Sequence, residues 1–149
     1  MTSRRTQTIV PYSAVEMFDL VADVEKYPEF LPHCVALRVT SRRPPGELEA
    51  DMIVSYAAFR ERFRSRVRLD RSALRIDVDY VEGPFRRLAN HWRFHDLPKG
   101  SGDGSEIDFT IDFEFRSLLL QAAARGAFER IFARMSDAFV VRAHDVYGA

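Results

Sequence analysis

Cysteine is nearly absent: Cys34 is the only one among 149 residues. No internal disulfide can form, no thiolate zinc site can be built, and a reducing compartment is the natural setting. Net charge is absent as well, 22 basic residues facing 22 acidic ones, so nothing overall draws the chain to DNA or to anionic lipid. Lysine is scarce, with Lys26 and Lys99 beside 20 arginines, a skew expected of a GC-rich bacterial genome; no arginine-rich run of the disordered RNA-binding type occurs. No apolar run approaches the roughly 20 residues that span a bilayer, and the opening MTSRRTQTIVPYS has no apolar stretch of the kind an export signal needs. G-x-S-x-G, Walker and zinc signatures are all missing. These absences predict a cytoplasmic protein, with at most a peripheral station at the inner membrane, that carries no catalytic residue, no metal and no required cofactor.

What is present is a core. An apolar fraction of 46% with eighteen aromatics fits one globular domain over residues 1–149. Ser13 followed by Glu16 reads as a capping box, and Ala14, Met17, Phe18, Val21 and Val24 then recur at helical spacing. Pro28 and Pro32 bound a short second turn from Glu25 to Leu31 that aims Tyr27, Phe30 and Leu31 at an apolar surface. Period-two alternation follows. It is cleanest from Glu106 to Phe115, where Ile107, Phe109, Ile111, Phe113 and Phe115 share one face and Glu106, Asp108, Thr110, Asp112 and Glu114 the other. Strands are likewise predicted near Arg4–Val10 and Val35–Arg42, over Leu48–Tyr56 and Phe59–Asp70, through Leu74–Tyr80 and through Leu88–Phe94. One apolar and one polar face is the mark of an antiparallel sheet. From Ser117 to about Tyr147 the period becomes helical, with Leu120, Phe128, Ile131, Phe132, Met135, Phe139 and Val146 on one stripe.

One strand, two short helices, six strands and a long terminal helix is the order of the α+β helix-grip fold, in which a curved seven-stranded antiparallel sheet wraps a C-terminal helix. Within that order stand Tyr12-Ser13-Ala14, the run Met17 to Glu25, Tyr27-Pro28-Glu29-Phe30-Leu31-Pro32, Cys34, Phe63 to Val67, Gly83-Pro84-Phe85, and Trp92 with Phe94. In these residues the chain resembles the coenzyme Q-binding branch of the START-like, polyketide cyclase/dehydrase-like superfamily, which includes mitochondrial coenzyme Q-binding proteins and the bacterial ribosome-association toxin RatA.

The resemblance implies a cavity between sheet and terminal helix. Taken alone, an inward stripe of phenylalanines and methionine reads as core; in this family it borders a ligand. On that basis Tyr56, Glu61, Phe63, Tyr80, Trp92, Phe94, Phe113, Phe128, Phe132, Met135 and Phe139 are expected to face a ubiquinone-like polyprenyl quinone or a similar hydrophobic lipid. Tyr27, Phe30 and Leu31 would stand at its mouth as a gate or a membrane-touching lip. The implied role is a non-catalytic carrier supporting respiratory electron transport. Two alternatives stay open: a RatA-type toxin that binds the large ribosomal subunit, and a polyketide aromatase or cyclase.

Other chemistry-bearing residues read as structural. His91 and His95 have a metal-pair spacing only on a helix; on a strand they stand about 13 Å apart. His33 and Cys34 point to opposite strand faces and lack an activating third group. Gly100, Gly102 and Gly104 belong to a hairpin turn. The arginine ladder Arg60 to Arg68 is expected to be neutralised across strands, Arg66 by Asp77 and Arg64 by Asp79, and His91, Arg93 and His95 by Asp108, Asp112 and Glu114. Glu61 stands out as a carboxylate on an apolar face. It needs an arginine near the strand end or a polar headgroup inside the cavity. Tyr56, Tyr80, Asn90 and the Trp92 N–H complete the inward polar set.

Overall fold

The computed structural model describes residues 2–56, 59–100, 102–125 and 128–148. Seven strands form one antiparallel sheet in the order β1-β7-β6-β5-β4-β3-β2. They are β1 (Thr2–Val10), β2 (Cys34–Arg43), β3 (Glu47–Tyr56), β4 (Phe59–Asp70), β5 (Arg75–Glu82), β6 (Phe85–Asp96) and β7 (Ser105–Phe115). Strands β2 to β7 are successive neighbours and β1 lies against β7, so β1 and β2 are the two edges. Helix α1 (Ala14–Ala22), a 3-10 turn (Val24–Lys26) and α2 (Tyr27–Phe30) carry the chain between those edges.

The capping box at the start of α1 forms as expected. The Glu16 N–H donates to Ser13 Oγ at 3.1 Å and the Ser13 N–H to Glu16 Oε1 at 3.0 Å, satisfying two helix-end donors. The helix buries Ala14, Met17, Phe18, Leu20 and Val21. Arg71 grips Asp19 with two bonds of 3.0 and 3.1 Å, tying α1 to the β4–β5 turn. Pro28 sits in the first turn of α2, where its missing N–H costs nothing.

The C-terminal pattern predicts a single helix from Ser117 to Tyr147. It is described as α3 (Leu118–Arg125) and α4 (Phe128–Tyr147), with residues 126 and 127 outside the described residues. The far end of α4 is anchored on α1 and its entry. Ala143 is fully buried, the Tyr147 hydroxyl donates to the Glu16 carbonyl at 2.8 Å, and the Tyr12 hydroxyl meets His144 Nδ1.

The β4–β5 register differs from expectation by two residues. Leu69 pairs with Ile76 rather than Leu74, Arg68 with Asp77, Arg66 with Asp79, and Arg64 with Glu82 across a register shift. The cause is the turn. Asp70 Oδ1 accepts the Ala73 N–H at 3.1 Å and Leu74 takes a left-handed φ of 52°, so Arg71–Leu74 make a four-residue loop. A shift of two keeps every side chain on its face. On β6 and β7, Arg93 does face Asp108, but His95 faces Glu106 and His91 faces Thr110.

The outer face is self-neutralised, largely from β3. Arg64 bonds Asp51 at 2.8 Å, Arg66 bonds Glu49 at 3.1 Å, and Arg68 reaches Asp79 at 2.5 Å. Exposed pairs of this kind add little stability each. Asp77 differs, being buried while accepting from His91 Nδ1 at 2.6 Å and Arg93 at 3.1 Å. Burial alone would raise its carboxyl, but the His91 and Arg93 hydrogen bonds hold it below the usual range. A lowered folded value gives stability that is fully present above about pH 4 and is lost as pH falls through that lowered value. Asp77→Asn should therefore lower the melting temperature at pH 7 and shrink the difference between melts at pH 7 and at acid pH. An unchanged difference would mean that Asp77 carries no pH-linked stability.

Candidate functional site

The apolar interior falls into two clusters rather than one. The larger gathers the buried face of α1 and the 3-10 turn with Tyr27, Leu31, Leu48, Ala50, Val67, Ile76, Phe94 and Phe139. The smaller holds Phe85, Leu88, Phe113 and Phe115, with Phe63, Tyr80, Ile111, Leu120 and Phe128 against it. Both clusters contribute to the wall of a cavity of about 490 Å³ between the inner sheet face and α4. That volume lies within the about 300–1,000 Å³ usual for small-molecule sites. Aromatic rings line its length: Trp92 on Phe109 at 4.4 Å, Phe109 on Phe132 at 5.8 Å, Phe132 on Phe128 at 5.7 Å, and Phe128 on Phe113 at 4.7 Å.

Of the residues expected there, Tyr27, Leu31, Glu61, Phe63, Trp92, Phe113, Phe128, Phe132, Met135 and Phe139 border the cavity. Three do not. Phe94 is 2% exposed and packs edge-on to Phe18 beneath α1. Tyr80 stands behind Phe85, its ring edge-on at 5.6 Å and its hydroxyl accepting the Phe85 N–H at 3.1 Å. Phe30 lies outside, between Phe139 and the guanidinium of Arg142, which sits 5.0 Å above its ring. The Tyr56 side chain is outside the described residues.

The expected mouth is a packed wall. Tyr27 is 9% and Leu31 5% exposed, and the Tyr27 hydroxyl donates to the Val21 carbonyl. Burial pushes the Tyr27 phenol far up, so it stays a fixed donor. The proline-bounded turn closes this side of the cavity instead of opening it.

Parity on β6 misses Phe85, since Leu88, Asn90, Trp92 and Phe94 mark the even positions as inward. A β-bulge between Phe85 and Arg87 reverses the alternation and turns Phe85 in. Gly83 permits that turn: its φ of +143° suits glycine, and a Cβ there would come within 2.6 Å of Phe63 Cβ. Phe109, Ile111 and Phe115 border the cavity from β7, and Ser136 from α4. The three β7 residues were legible as inward but not as site residues, and Ser136 stood outside the predicted apolar stripe.

The polar inventory is short: Thr6 and Thr8 on β1, Glu61 and Ser65 on β4, Asn90 on β6 and Ser136 on α4. Asn90 Oδ1 is buried with no hydrogen-bond partner among the described residues. Glu61 also lacks an ion-pair or hydrogen-bond partner among the described residues. The neighbouring Arg62 and Arg64 are held on the opposite face by Asp51, so parity denies Glu61 the arginine that a strand-end pairing requires. An unmet buried amide costs about 1–3 kcal/mol. Asn90→Leu should therefore leave stability equal or raise it by about 1 kcal/mol, while weakening any ligand that hydrogen-bonds the amide. Denaturant melts together with ligand titration check both halves.

The remaining chemistry-bearing residues take structural places. His91 bonds Asp77, and His33 Nδ1 meets the Ser55 carbonyl at 3.1 Å. Burial pushes the Cys34 thiol up to about 11, which removes it as a nucleophile. Among the described residues no cluster of His, Cys, Asp and Glu could hold a metal ion, and no helix is long and apolar enough to cross a membrane.

A curved antiparallel sheet closed by C-terminal helices over an apolar cavity with a few polar groups defines a START-like helix-grip domain. The chain belongs to the family described as polyketide cyclase / dehydrase and lipid transport, whose model matches residues 10–140. It is 40% identical to the ribosome association toxin RatA of Escherichia coli K12, over 95% of this chain and 86% of that one. It is 33% identical to the mitochondrial coenzyme Q-binding protein COQ10 of Drosophila melanogaster, over 89% of this chain and 54% of that protein. An 18 kDa Caulobacter crescentus protein solved in solution is 36% identical and superposes with a TM-score of 0.80 over the full length of both chains.

Proposed function

We propose that the chain binds a ubiquinone-like polyprenyl quinone, or a lipid of similar shape, inside this cavity and performs no chemistry on it. The observation that carries the proposal is the pairing of an aromatic-lined 490 Å³ cavity with the buried Asn90 Oδ1, which has no hydrogen-bond partner among the described residues. An isoprenoid tail gains about 0.8 kcal/mol per buried CH₂. A ring substituent could meet Asn90, and a second polar group Glu61. The COQ10 relative, a coenzyme Q-binding protein by name, supports the same ligand class. A cyclase would need convergent acid and base groups, and among the described residues Glu61 is the only carboxylate on the cavity wall. Glu61→Gln separates the two: a carrier changes affinity, an enzyme loses turnover.

Trp92, the single tryptophan, borders the cavity and reports on its contents. Titration with a short-tailed ubiquinone should quench its fluorescence saturably at one equivalent. Absence of any saturable change would count against the proposal.

A second reading rests on the 40% identity to RatA: association with the large ribosomal subunit. The outer sheet face offers this role little, because Arg64, Arg66 and Arg68 are engaged by Asp51, Glu47, Glu49 and Asp79. Co-sedimentation with isolated large subunits, and growth arrest on overexpression, would support it; the lack of both would remove it.

A further inference from the structure

Helix α3 opens on three leucines that meet different surroundings. Leu120 is half-buried and packs on the cluster of Phe85, Leu88, Phe113 and Phe115, beside the cavity-lining Phe128. Leu118 and Leu119 point away and are 87% and 81% exposed, more than any other large apolar side chain among the described residues. They are held out, not left loose. Ser117 Oγ accepts the Leu120 N–H at 3.2 Å, the Gln121 N–H bonds the Ser117 carbonyl at 3.0 Å, and Gln121 Oε1 accepts the Phe115 N–H at 3.1 Å. A fixed pair of exposed leucines is costly in water unless something covers it.

The surroundings of the pair say what kind of cover fits. Arg116 is exposed and pinned to the β5–β6 turn, its N–H donating to the Pro84 carbonyl and its Nε to the Phe85 carbonyl, each at 2.9 Å. On the same turn Arg86 lies 3.9 Å from the carboxylate of Glu114, which Arg87 shares. Glu82, the other acid of the turn, lies 3.5 Å from Arg64. The first turn of α3 carries no acid. The leucine pair thus follows closely on Arg116, which is held against the turn that carries Arg86.

We infer that this tip inserts into an anionic phospholipid surface, the leucines entering the acyl boundary and the Arg86 and Arg116 guanidinium groups meeting lipid phosphates. Insertion there brings the Leu120 and Phe128 end of the cavity to the bilayer. That is the reverse of the Tyr27–Leu31 lip. RNA fits the tip poorly: bases stack on aromatic rings, whereas the exposed apolar groups here are aliphatic. The inference stands on the tip itself and does not require the cavity to hold a quinone.

The full chain should be sedimented with vesicles of phosphatidylcholine, alone and with a one-third share of phosphatidylglycerol. Binding is expected with the anionic vesicles, weakening as salt rises. L118S/L119S should lower the partition coefficient about thirtyfold or more, and Arg86→Gln about fivefold at low salt. Ile9→Ser, at an exposed apolar site on the β1 edge, should leave binding unchanged. Since Leu118 and Leu119 bury little, the melting temperature of L118S/L119S should match the parent chain, and any lipid extracted from the purified protein should persist. Leu118→Trp should shift its emission to the blue on anionic vesicles. A parent chain that ignores anionic vesicles, or an L118S/L119S chain that binds them equally well, would overturn the inference. So would loss of ribosomal-subunit binding in L118S/L119S without any effect on vesicles, which would make the tip a ribosome contact. A protein empty of quinone that still binds anionic vesicles would retire the cavity reading and leave this one standing.

Discussion

Alanine in place of Phe85 is expected to remove about 3–5 kcal/mol of folding stability, a large share of the about 5–15 kcal/mol that a domain commonly has. The ring stacks on Phe115 at 4.7 Å and meets Phe63, Tyr80 and Phe113 edge-on between 5.4 and 5.9 Å. It is 8% exposed and is the hub of the smaller cluster. Its backbone is equally engaged: the N–H donates to the Tyr80 hydroxyl and the carbonyl accepts from Arg116 Nε. With the ring gone, neighbours in a bulged strand have little freedom to collapse inward, so the void persists. Urea denaturation at neutral pH measures the loss. A cost under about 1 kcal/mol would show that the site relaxes into the adjacent cavity. Leu118→Ser is the matched comparison and should stay within about 0.5 kcal/mol.

The second large effect falls on occupancy rather than on stability. Ser136 faces the cavity from α4, between Phe132 and Val140 on the same helix face. Ser136→Phe would project a ring from α4 into the cavity and take up part of the space a ligand would fill. Bound ligand should drop about tenfold or more, equivalent to a loss of about 1.4 kcal/mol, while the melting temperature holds or rises. If ligand content were unaffected, the cavity between sheet and α4 would not be the binding site.

Much of this architecture could be read from the chain because its signals are local. The capping box of Ser13 and Glu16, the alternation from Glu106 to Phe115 and the helical stripe of Phe128, Phe132, Met135 and Phe139 each depend on neighbours a few positions away. What escaped depends on events that alternation cannot carry. The bulge at Phe85 reversed the facing of one strand end. The Asp70 turn moved β5 by two residues against β4 without changing any face, and the β3 acids Asp51 and Glu49, on the other side of β4, take Arg64 and Arg66. The Tyr27–Leu31 turn was correctly an apolar contact, but the hydrogen bond from Tyr27 to Val21 and the cover of Arg142 over Phe30 make it a wall. The exposed Leu118-Leu119 pair is written plainly in the sequence, yet a leucine run at a helix start looks like core until the fold leaves two of the three outside. Asn90 was legible as inward, and only the absence of a partner distinguishes it from a satisfied core amide.

The central claim is that the cavity holds a hydrophobic, polar-headed ligand, and the most direct measurement is mass spectrometry of an organic extract of the protein purified from bacterial cells. The account predicts a polyprenyl quinone or comparable lipid in near-stoichiometric amount, strongly depleted in Ser136→Phe. Protein that is repeatedly lipid-free and takes up no added quinone would contradict it.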